Sequence, residues 1–270
     1  MRIINKNYSL SSNINANIVL ISDIHYYSKG DIKHLNKVLD NIKKTNPKFI
    51  CIPGDIIDEI NIKDEVDFIT WLNKLSKIST VFISLGNHEY YKDKYNKKFE
   101  KPFNFIKKLK NIKNLYLLDN ENKTVDNINF IGLTLPIEYY FKETSREIDF
   151  SKYLKGLKIE KDKYNILLCH SPINLCNKKV LENSGIDLVL CGHMHGGITP
   201  RFLRMFMKNR GFISPTKTIF PKNAYGHIKI DKTDIMITSG ITVVSHINKF
   251  RILKDIFSSE IVTLTLNKKI

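Results

Sequence analysis

The stretch LVLCGHMHGGITPRF places His193 and His195 two residues apart, between glycines, where an apolar run ends. Imidazole is the commonest protein ligand for a borderline transition metal, so the pair is a candidate part of a metal site. Four other stretches carry groups that could complete it. VLISDIHYY holds Asp23 and His25, FICIPGDIID holds Asp55 and Asp58, VFISLGNHEYY holds Asn87 and His88, and ILLCHSP holds His170. Five of the eight histidines fall in these five stretches, each just past an apolar run, a concentration that composition does not explain.

Each spacing has a physical use. In extended backbone, residues i and i+2 face the same way, so Asp23/His25 and His193/His195 are each expected to present two ligands to one side. Gly54, Gly86, Gly192, Gly196 and Gly197 permit tight turns and close approach of backbone to an ion or phosphate. A donor set of carboxylate, amide and imidazole suits Mn²⁺, Fe or Zn²⁺ better than Ca²⁺, and needs no thiolate. A carboxylate such as Asp55 can bridge two ions about 4 Å apart, which is the arrangement of a two-metal hydrolytic site. Taken singly, SDIH or CHSP is more often a cap or a core element. Five such stretches in order, each after a predicted strand, point to metal chemistry.

The elements that must position these residues alternate in the first half. NIVLIS, KFICIP and TVFISL read as buried strands. A helical pattern runs from Ile32 to about Lys44, and a second carries Val66, Ile69, Leu72, Leu75 and Ile78, with Phe68 and Trp71 broadening its face. FEKPFNFIKKLKNI is expected to be helical after its proline, with Phe103, Ile106 and Leu109 inward. Before Asp23 the only strand expected is the run from Ile18 to Ile21, which is too short for a signal peptide. From Leu115 the texture changes to short strands, NLYLLDN, KTVDNINFIGLTL, AYGHIKIDKTDIMITS and SSEIVTLTL, with VDNIN and IDKTDI as hairpin turns. A second, more antiparallel sheet is expected there. YNILLCH and IDLVLCG are two further apolar strands, separated by a helix around Leu175 to Asn183. Strand–helix alternation predicts an α/β fold, and open α/β sheets form sites beyond the carboxyl ends of their strands. No repeat, linker or composition break divides the chain, so one domain over residues 1–270 is expected.

Composition bounds the class. Hydrophobic residues make up 42% and charged residues 26%, the balance of a globular rather than a disordered chain. No apolar run approaches the roughly 20 residues that span a bilayer, so the expected location is cytoplasmic. Cys51, Cys169, Cys176 and Cys191 form no CxxC pair, and Cys51, Cys169 and Cys191 read as buried core residues. The net charge of +16 fits a solvated lysine-rich surface, an anionic membrane face or nucleic acid.

The blocks DIH, GDIID, GNHE, a lone histidine after a strand, and GHMH resemble those of the calcineurin-like metallophosphoesterases, from about Val19 to Gly197. GHMHGG before Pro200, FPKNAYG and SSEIVTLTL further resemble the bacterial phosphohydrolase branch, which includes membrane-associated phosphodiesterases and a lipid-nucleotide diphosphatase. The resemblance implies a four-layer α/β/β/α sandwich with two mixed β-sheets. It implies two divalent metal ions, Mn²⁺ first, with Fe, Zn²⁺ or Mg²⁺ as alternatives. Asp23, His25, Asp55 and His195 would hold one, and Asp55, Asn87, His170 and His193 the other. His88 would contact the phosphoryl group or protonate the leaving oxygen, Asp58 would orient His88, and Asn87 would help to neutralise the oxygens. The implied reaction is cleavage of a phosphodiester or diphosphate by a metal-bridging hydroxide. Three features depart from that branch: no membrane segment such as many relatives carry ahead of this domain is expected, GHMHGGI stands for GHTHGGQ, and TSGITVVSHINKF stands for a Ser-Arg-Gly-Leu-Gly run, with Arg251 as the late candidate for its arginine.

Substrate choice must come from other residues. RFLRMFMKNRGFI sets Arg201, Arg204, Lys208 and Arg210 among Phe202, Leu203, Met205, Phe206, Met207 and Phe212. Two readings stay open for residues 201–212: an amphipathic helix with its apolar face on the core, or a mobile flap that touches a lipidic substrate or, at the inner membrane face, an anionic bilayer. PIEYYFKETSR is expected to be a partly exposed cap strand, with Tyr139, Tyr140 and Phe141 lining a pocket as the alternative. His34, His227 and His246 read as surface or core histidines. Within the enzyme class, a nuclease or cyclic-nucleotide phosphodiesterase is a variant of the same chemistry. A non-catalytic metal-binding scaffold is the reading from another class, and it would be expected to have lost ligands that are present here.

Overall fold

The buried runs read from the sequence become the parallel centres of two sheets. In a computed structural model, residues 1–27, 29–58, 62–89, 101–136, 138–141, 150–200, 202–215, 217–242 and 257–268 are described. The first sheet contains, in spatial order, β1 (Arg2–Ser12), β12 (Ser258–Lys268), β2 (Ala16–Leu20), β3 (Phe49–Pro53), β4 (Thr80–Ser84) and β5 (Leu115–Leu117). The second contains β10 (Gly226–Ile230), β11 (Thr233–Ile237), β9 (Leu188–Cys191), β8 (Tyr164–Cys169), β7 (Ile128–Leu133) and β6 (Asn122–Val125). β2 to β5 are mutually parallel, while β12 runs antiparallel to β2 and parallel to β1. β7, β8, β9 and β11 are parallel, with β6 and β10 antiparallel at the two edges.

Three apolar clusters separate four layers. α1 (Lys29–Thr45), α2 (Ile62–Ile78) and the helix Lys101–Leu109 cover one face of the first sheet, burying Val38, Phe68, Trp71, Leu75 and Leu109 against Val19, Ile50 and Val81. The inner faces meet through Leu20, Phe49 and Phe82 on one sheet and Phe130, Ile166 and Leu190 on the other. Leu167, Val189 and Ile235 point outward from the second sheet against Tyr139, Phe150 and Leu181 of short helices. The alternation along β8, with Ile166 and Leu168 inward and Leu167 and Cys169 outward, is the period-two pattern of a strand buried on both faces.

The structure corrects several expectations. β1 was not anticipated: its half-buried Lys/Asn/Ser alternation carries little apolar signal, and it is held at the sheet edge by eleven residues of register with β12. β5 and β12 belong to the first sheet, because a strand's partner is set by long-range register rather than by local texture. The second sheet is antiparallel only at its edges, where the predicted hairpins turn at Asp126 (φ 53°) and Asp231 (φ 53°). α2 turns Phe68, Trp71, Leu72 and Leu75 inward and leaves Val66 63% exposed. Trp71 Nε1 donates to Leu35 O at 2.9 Å, which satisfies the one polar atom of that core side chain. In the helix Lys101–Leu109 the inward residues include Phe105, and the Phe103 side chain lies outside the described residues. Cys51, Cys169 and Cys191 are buried and free, as expected of core thiols. His34 pairs with Ser259 Oγ and His227 with Asp234, while His246 and Arg251 lie outside the described residues.

Candidate metal centre

β2, β3 and β4 of the first sheet and β8 and β9 of the second end on one side of the molecule, and the motif residues lie in the turns that follow them. Asp23, Asp55, His170, His193 and His195 are buried, and so are His25 and Asp58. Their donor atoms converge. His170 Nε2 lies 3.0 Å from Asp55 Oδ2 and 3.9 Å from Asp23 Oδ1. His25 Nε2 is 3.6 Å from Asp55 Oδ2 and 3.9 Å from Asp23 Oδ1, and His195 Nε2 is 3.6 Å from Asp23 Oδ1. Asp23, His25 and His195 form one compact group, Asp55, His170 and His193 a second, and His25, Asp55 and His88 an overlapping third. His88 Nδ1 lies 2.8 Å from Asp58 Oδ1.

Backbone geometry, not strand extension, aims these side chains. Asp23 (φ 50°), His25 (φ 44°), Asp55 (φ 52°), His193 (φ 66°) and His195 (φ 46°) all adopt the left-handed region. The i/i+2 argument for Asp23/His25 and His193/His195 is therefore replaced: each pair lies beyond its strand in a coiled turn, and neighbouring loops hold it there. Asp23 N donates to Gly54 O and His25 N to Asp55 O. His193 N donates to both oxygens of Asp23 at 3.0 and 3.1 Å, and His88 N to Asp55 Oδ1 at 2.9 Å. Gly192 permits a close approach, since a Cβ there would overlap Ser22 Oγ and Asp23 Oδ2.

The residues fit metal ions by donor chemistry. Both ring nitrogens of His25, Nε2 of His170 and His193, and Oδ1 of Asn87 are buried without a hydrogen-bond partner among the described residues. Buried polar atoms are ordinarily paired, and a cluster of orphaned lone pairs facing carboxylates is what a cation satisfies. The orientation of two rings is fixed from behind. His170 Nδ1 faces Pro53 O at 2.7 Å and His195 Nδ1 faces Thr242 O at 3.1 Å. A carbonyl only accepts, so each Nδ1 carries the proton and Nε2 is turned to the site.

The charges balance accordingly. Burial, and then the positive His170, keep the His193 imidazole well below its ordinary pKa; burial does the same for His25 despite the opposing pull of Asp55. Both are thereby neutral and able to donate a lone pair. Burial also disfavours charge on His170, but the Asp55 carboxylate outweighs it and pushes the imidazole up to about 9. His88 is raised too, Asp55 and Asp58 overcoming burial. Asp55, which burial alone would raise, is held well below the usual carboxylate range by His170 and His88. Without a cation, protons on these two histidines supply the positive charge that the carboxylates require.

One residue of the site, Glu89, was not read from the sequence, and a second, Tyr140, was read only as an alternative. Glu89, 4% exposed, accepts four backbone N–H bonds, from Ile56 and Ile57 on Oε1 and from Asp55 and Gly86 on Oε2. It ties the turn after β3 to the turn after β4. An acid beside a histidine in GNHE gives no local sign of this, because its partners are backbone groups of another segment. Tyr140, in the helix Glu138–Phe141, packs edge-on against His193 with ring centres 5.2 Å apart. The cap strand expected there is thus a buried helical turn, with Tyr139 1% and Tyr140 6% exposed; the Phe141 side chain lies outside the described residues.

Residues 16–197 match a family model described as Calcineurin-like phosphoesterase. An uncharacterized metallophosphoesterase of Helicobacter pylori is 31% identical over 182 residues, covering 67% of this chain and 44% of its own. Another from Campylobacter jejuni is 29% identical over 201 residues, covering 73% of this chain and 48% of its own. The chain thus spans about half the length of the curated relatives it matches. Among solved structures, a 5′-nucleotidase precursor from Thermus thermophilus is similar at 13% identity and a TM-score of 0.47, covering 83% of this chain and 48% of that one.

Proposed function

The chain belongs to the calcineurin-like phosphoesterase family, whose model matches residues 16–197, and on that premise we propose that it is a phosphoric ester hydrolase using two divalent cations to cleave a phosphodiester or diphosphate bond. The observation that carries this reading is the convergence of unpartnered nitrogens of His25, His170 and His193 on the carboxylates of Asp23 and Asp55. Asp23, His25, Asp55 and His195 would hold one cation, and Asp55, Asn87, His170 and His193 the other. The mixed imidazole and carboxylate set favours Mn²⁺, with Fe or Zn²⁺ next. Bound there, the cations supply Lewis acidity toward the phosphoryl oxygens and lower the pKa of the attacking water.

The chain's own groups do the rest. The His88 side chain is 30% exposed, at the open side of the cluster, with Asp58 against its Nδ1. As imidazolium it gives the Nε2 proton to the departing oxygen and keeps the Nδ1 proton, which it donates in a hydrogen bond to Asp58, so it ends neutral while the alcohol or phosphate leaves protonated. Asn87 offers Oδ1 to a cation and its NH₂ to a phosphoryl oxygen, donating where negative charge grows. Tyr140 walls the His193 side, and Glu89 fixes the spacing between Asp55 and Asn87.

The test is hydrolysis of bis-p-nitrophenyl phosphate by metal-stripped protein, with and without added Mn²⁺, beside His193→Ala and a diphosphate ester. Cleavage restored by Mn²⁺ and lost in His193→Ala is expected. Two bound ions with no turnover of diester or diphosphate would overturn the reading in favour of a metal-binding scaffold.

A further inference from the structure

The segment that follows the metal-centre turn is not an amphipathic helix on the core: among its described residues only Arg204–Phe206 form a single 3₁₀ turn. Its backbone is held by hydrogen bonds. Phe212 N and Ile213 N donate to Gly197 O, Phe220 N donates to Phe212 O, Ser214 and Thr218 bond across a small hairpin, and Ile213 bridges Ile219. Tyr225 Oη donates to the carbonyls of Arg204 and Met207, clamping the base of the turn. Arg204 turns inward, to Ser239 Oγ at 2.9 Å and toward Glu260, so it is a structural cation.

What this ordered unit holds outward is apolar. Of the eight large hydrophobic side chains exposed among the described residues, six lie here: Phe202, Phe206, Phe212, Ile213, Ile219 and Phe220. Phe206 is 78% exposed and Ile219 69%. Single exposed hydrophobics are ordinary, but a cluster on a hydrogen-bonded frame marks a surface with a partner. The charge around it identifies the partner's chemistry. Residues 188–230 contain no Asp or Glu, and Lys208, Arg210, Lys217 and Lys222 are exposed within the same unit. Phenylalanine and isoleucine interspersed with cations, in a stretch without an acid, are suited to entering the headgroup boundary of an anionic membrane. Nucleic acid would use stacking faces along a groove, whereas Ile213 and Ile219 offer only alkyl surface.

We propose that residues 202–215 and 217–222 form a hydrogen-bonded docking surface for an anionic lipid bilayer, seated directly beside the metal centre through Gly197. The surface stands whether or not the hydrolytic reading does, and its test reads binding alone. Full-chain protein is sedimented with phosphatidylcholine vesicles carrying roughly 30% phosphatidylglycerol, and with phosphatidylcholine alone. Strong partitioning into the anionic vesicles and weak partitioning into the neutral ones is expected. Phe206→Ser with Ile219→Ser should weaken partitioning at least about tenfold at unchanged melting temperature, since both side chains already lie in water. Arg210→Glu with Lys217→Glu should weaken it at least about tenfold as well. Metal-dependent cleavage of the soluble diester serves as a separate control that these surface changes leave alone. The proposal is overturned if the anionic vesicles fail to sediment the protein, or if the Phe206/Ile219 pair of changes has no effect, which would leave only diffuse attraction of a basic chain. It is also overturned if the wild type dimerises in solution and Phe206→Ser restores the monomer, since the face would then be a contact between copies.

Discussion

Replacing Glu89 by Gln changes one atom and tests whether this residue braces the site. The carboxylate takes two backbone donors on each oxygen, at 2.7 and 3.2 Å from Ile56 and Ile57 and at 3.0 and 2.7 Å from Asp55 and Gly86. The amide keeps one acceptor oxygen and turns its NH₂ toward the other pair, leaving two buried donors without an acceptor at about 1–3 kcal/mol each. An opposing gain exists: burial and then the nearby Asp55 push the Glu89 carboxyl up, so a neutral group escapes part of that cost. We expect a net loss of about 2–4 kcal/mol. At roughly 2–4 °C per kcal/mol for a chain of this size, the melting temperature should fall by roughly 4–16 °C. The same two turns carry Asp55 and Asn87, so Mn²⁺ affinity should drop about 10- to 100-fold with it. Glu89→Asp, which keeps both oxygens but is one methylene short of the span, should fall between. The assays are thermal unfolding by circular dichroism and calorimetric titration with Mn²⁺. A Glu89→Gln protein that melts within about 2 °C of wild type would refute the brace. Lost Mn²⁺ affinity at unchanged stability would refute it too, since the residue would then act on the ions through charge alone.

Two other perturbations separate packing from ligation. Gly192→Ala puts a methyl group into Ser22 Oγ and the Asp23 carboxylate, so Mn²⁺ affinity should fall about 10- to 100-fold, read by titration calorimetry; unchanged affinity would mean that the turn after β9 shifts freely. Tyr140→Phe removes a buried hydroxyl that has no partner among the described residues, so stability should hold or rise by up to about 1 kcal/mol, whereas Tyr140→Ala should lose about 3–5 kcal/mol of packing; a clear drop in melting temperature for Tyr140→Phe would show that the hydroxyl is bonded.

What could be read in advance follows from the range of each signal. β2, β3, β4, β8 and β9 are continuous Val/Ile/Leu/Phe runs that end abruptly in Asp, His or Gly, and both the run and its ending are local. The motif side chains were therefore legible, and the structure brings them together. β12 was legible as a strand but not as the neighbour of β1 and β2, since nothing near Ser258 encodes a partner more than 200 residues away. The face of α2 was misread because its apolar residues are spread around the helix, and only the sheet decides that Phe68 goes in and Val66 stays out. Residues 202–220 have the composition of a buried helix. Positive φ at Asn209, Lys217 and Phe220 breaks any helical register, so that composition was the misleading feature.

The same conformational feature explains why the cluster holds these residue types. A non-glycine residue in the left-handed region costs on the order of 1 kcal/mol, and five residues of the cluster adopt it. The sum is comparable to the net stability of an ordinary domain, about 5–15 kcal/mol. If folding alone set these positions, glycine or asparagine would relieve the strain, as glycine does at Gly54 and Gly196 in the same turns. Asp23, His25, Asp55, His193 and His195 persist because bonds from other segments hold each turn: Thr242 N to Asp23 O, His25 N to Asp55 O, and His193 N to the Asp23 carboxylate. Each of these bonds joins segments far apart in the chain, so the strained turns are stable only once both sheets have packed. The three apolar clusters of the fold thus have a second role besides burying surface. They keep the imidazoles of His25, His170 and His195 within about 4 Å of a carboxylate oxygen of Asp23 or Asp55, an arrangement their mutual desolvation would otherwise disperse.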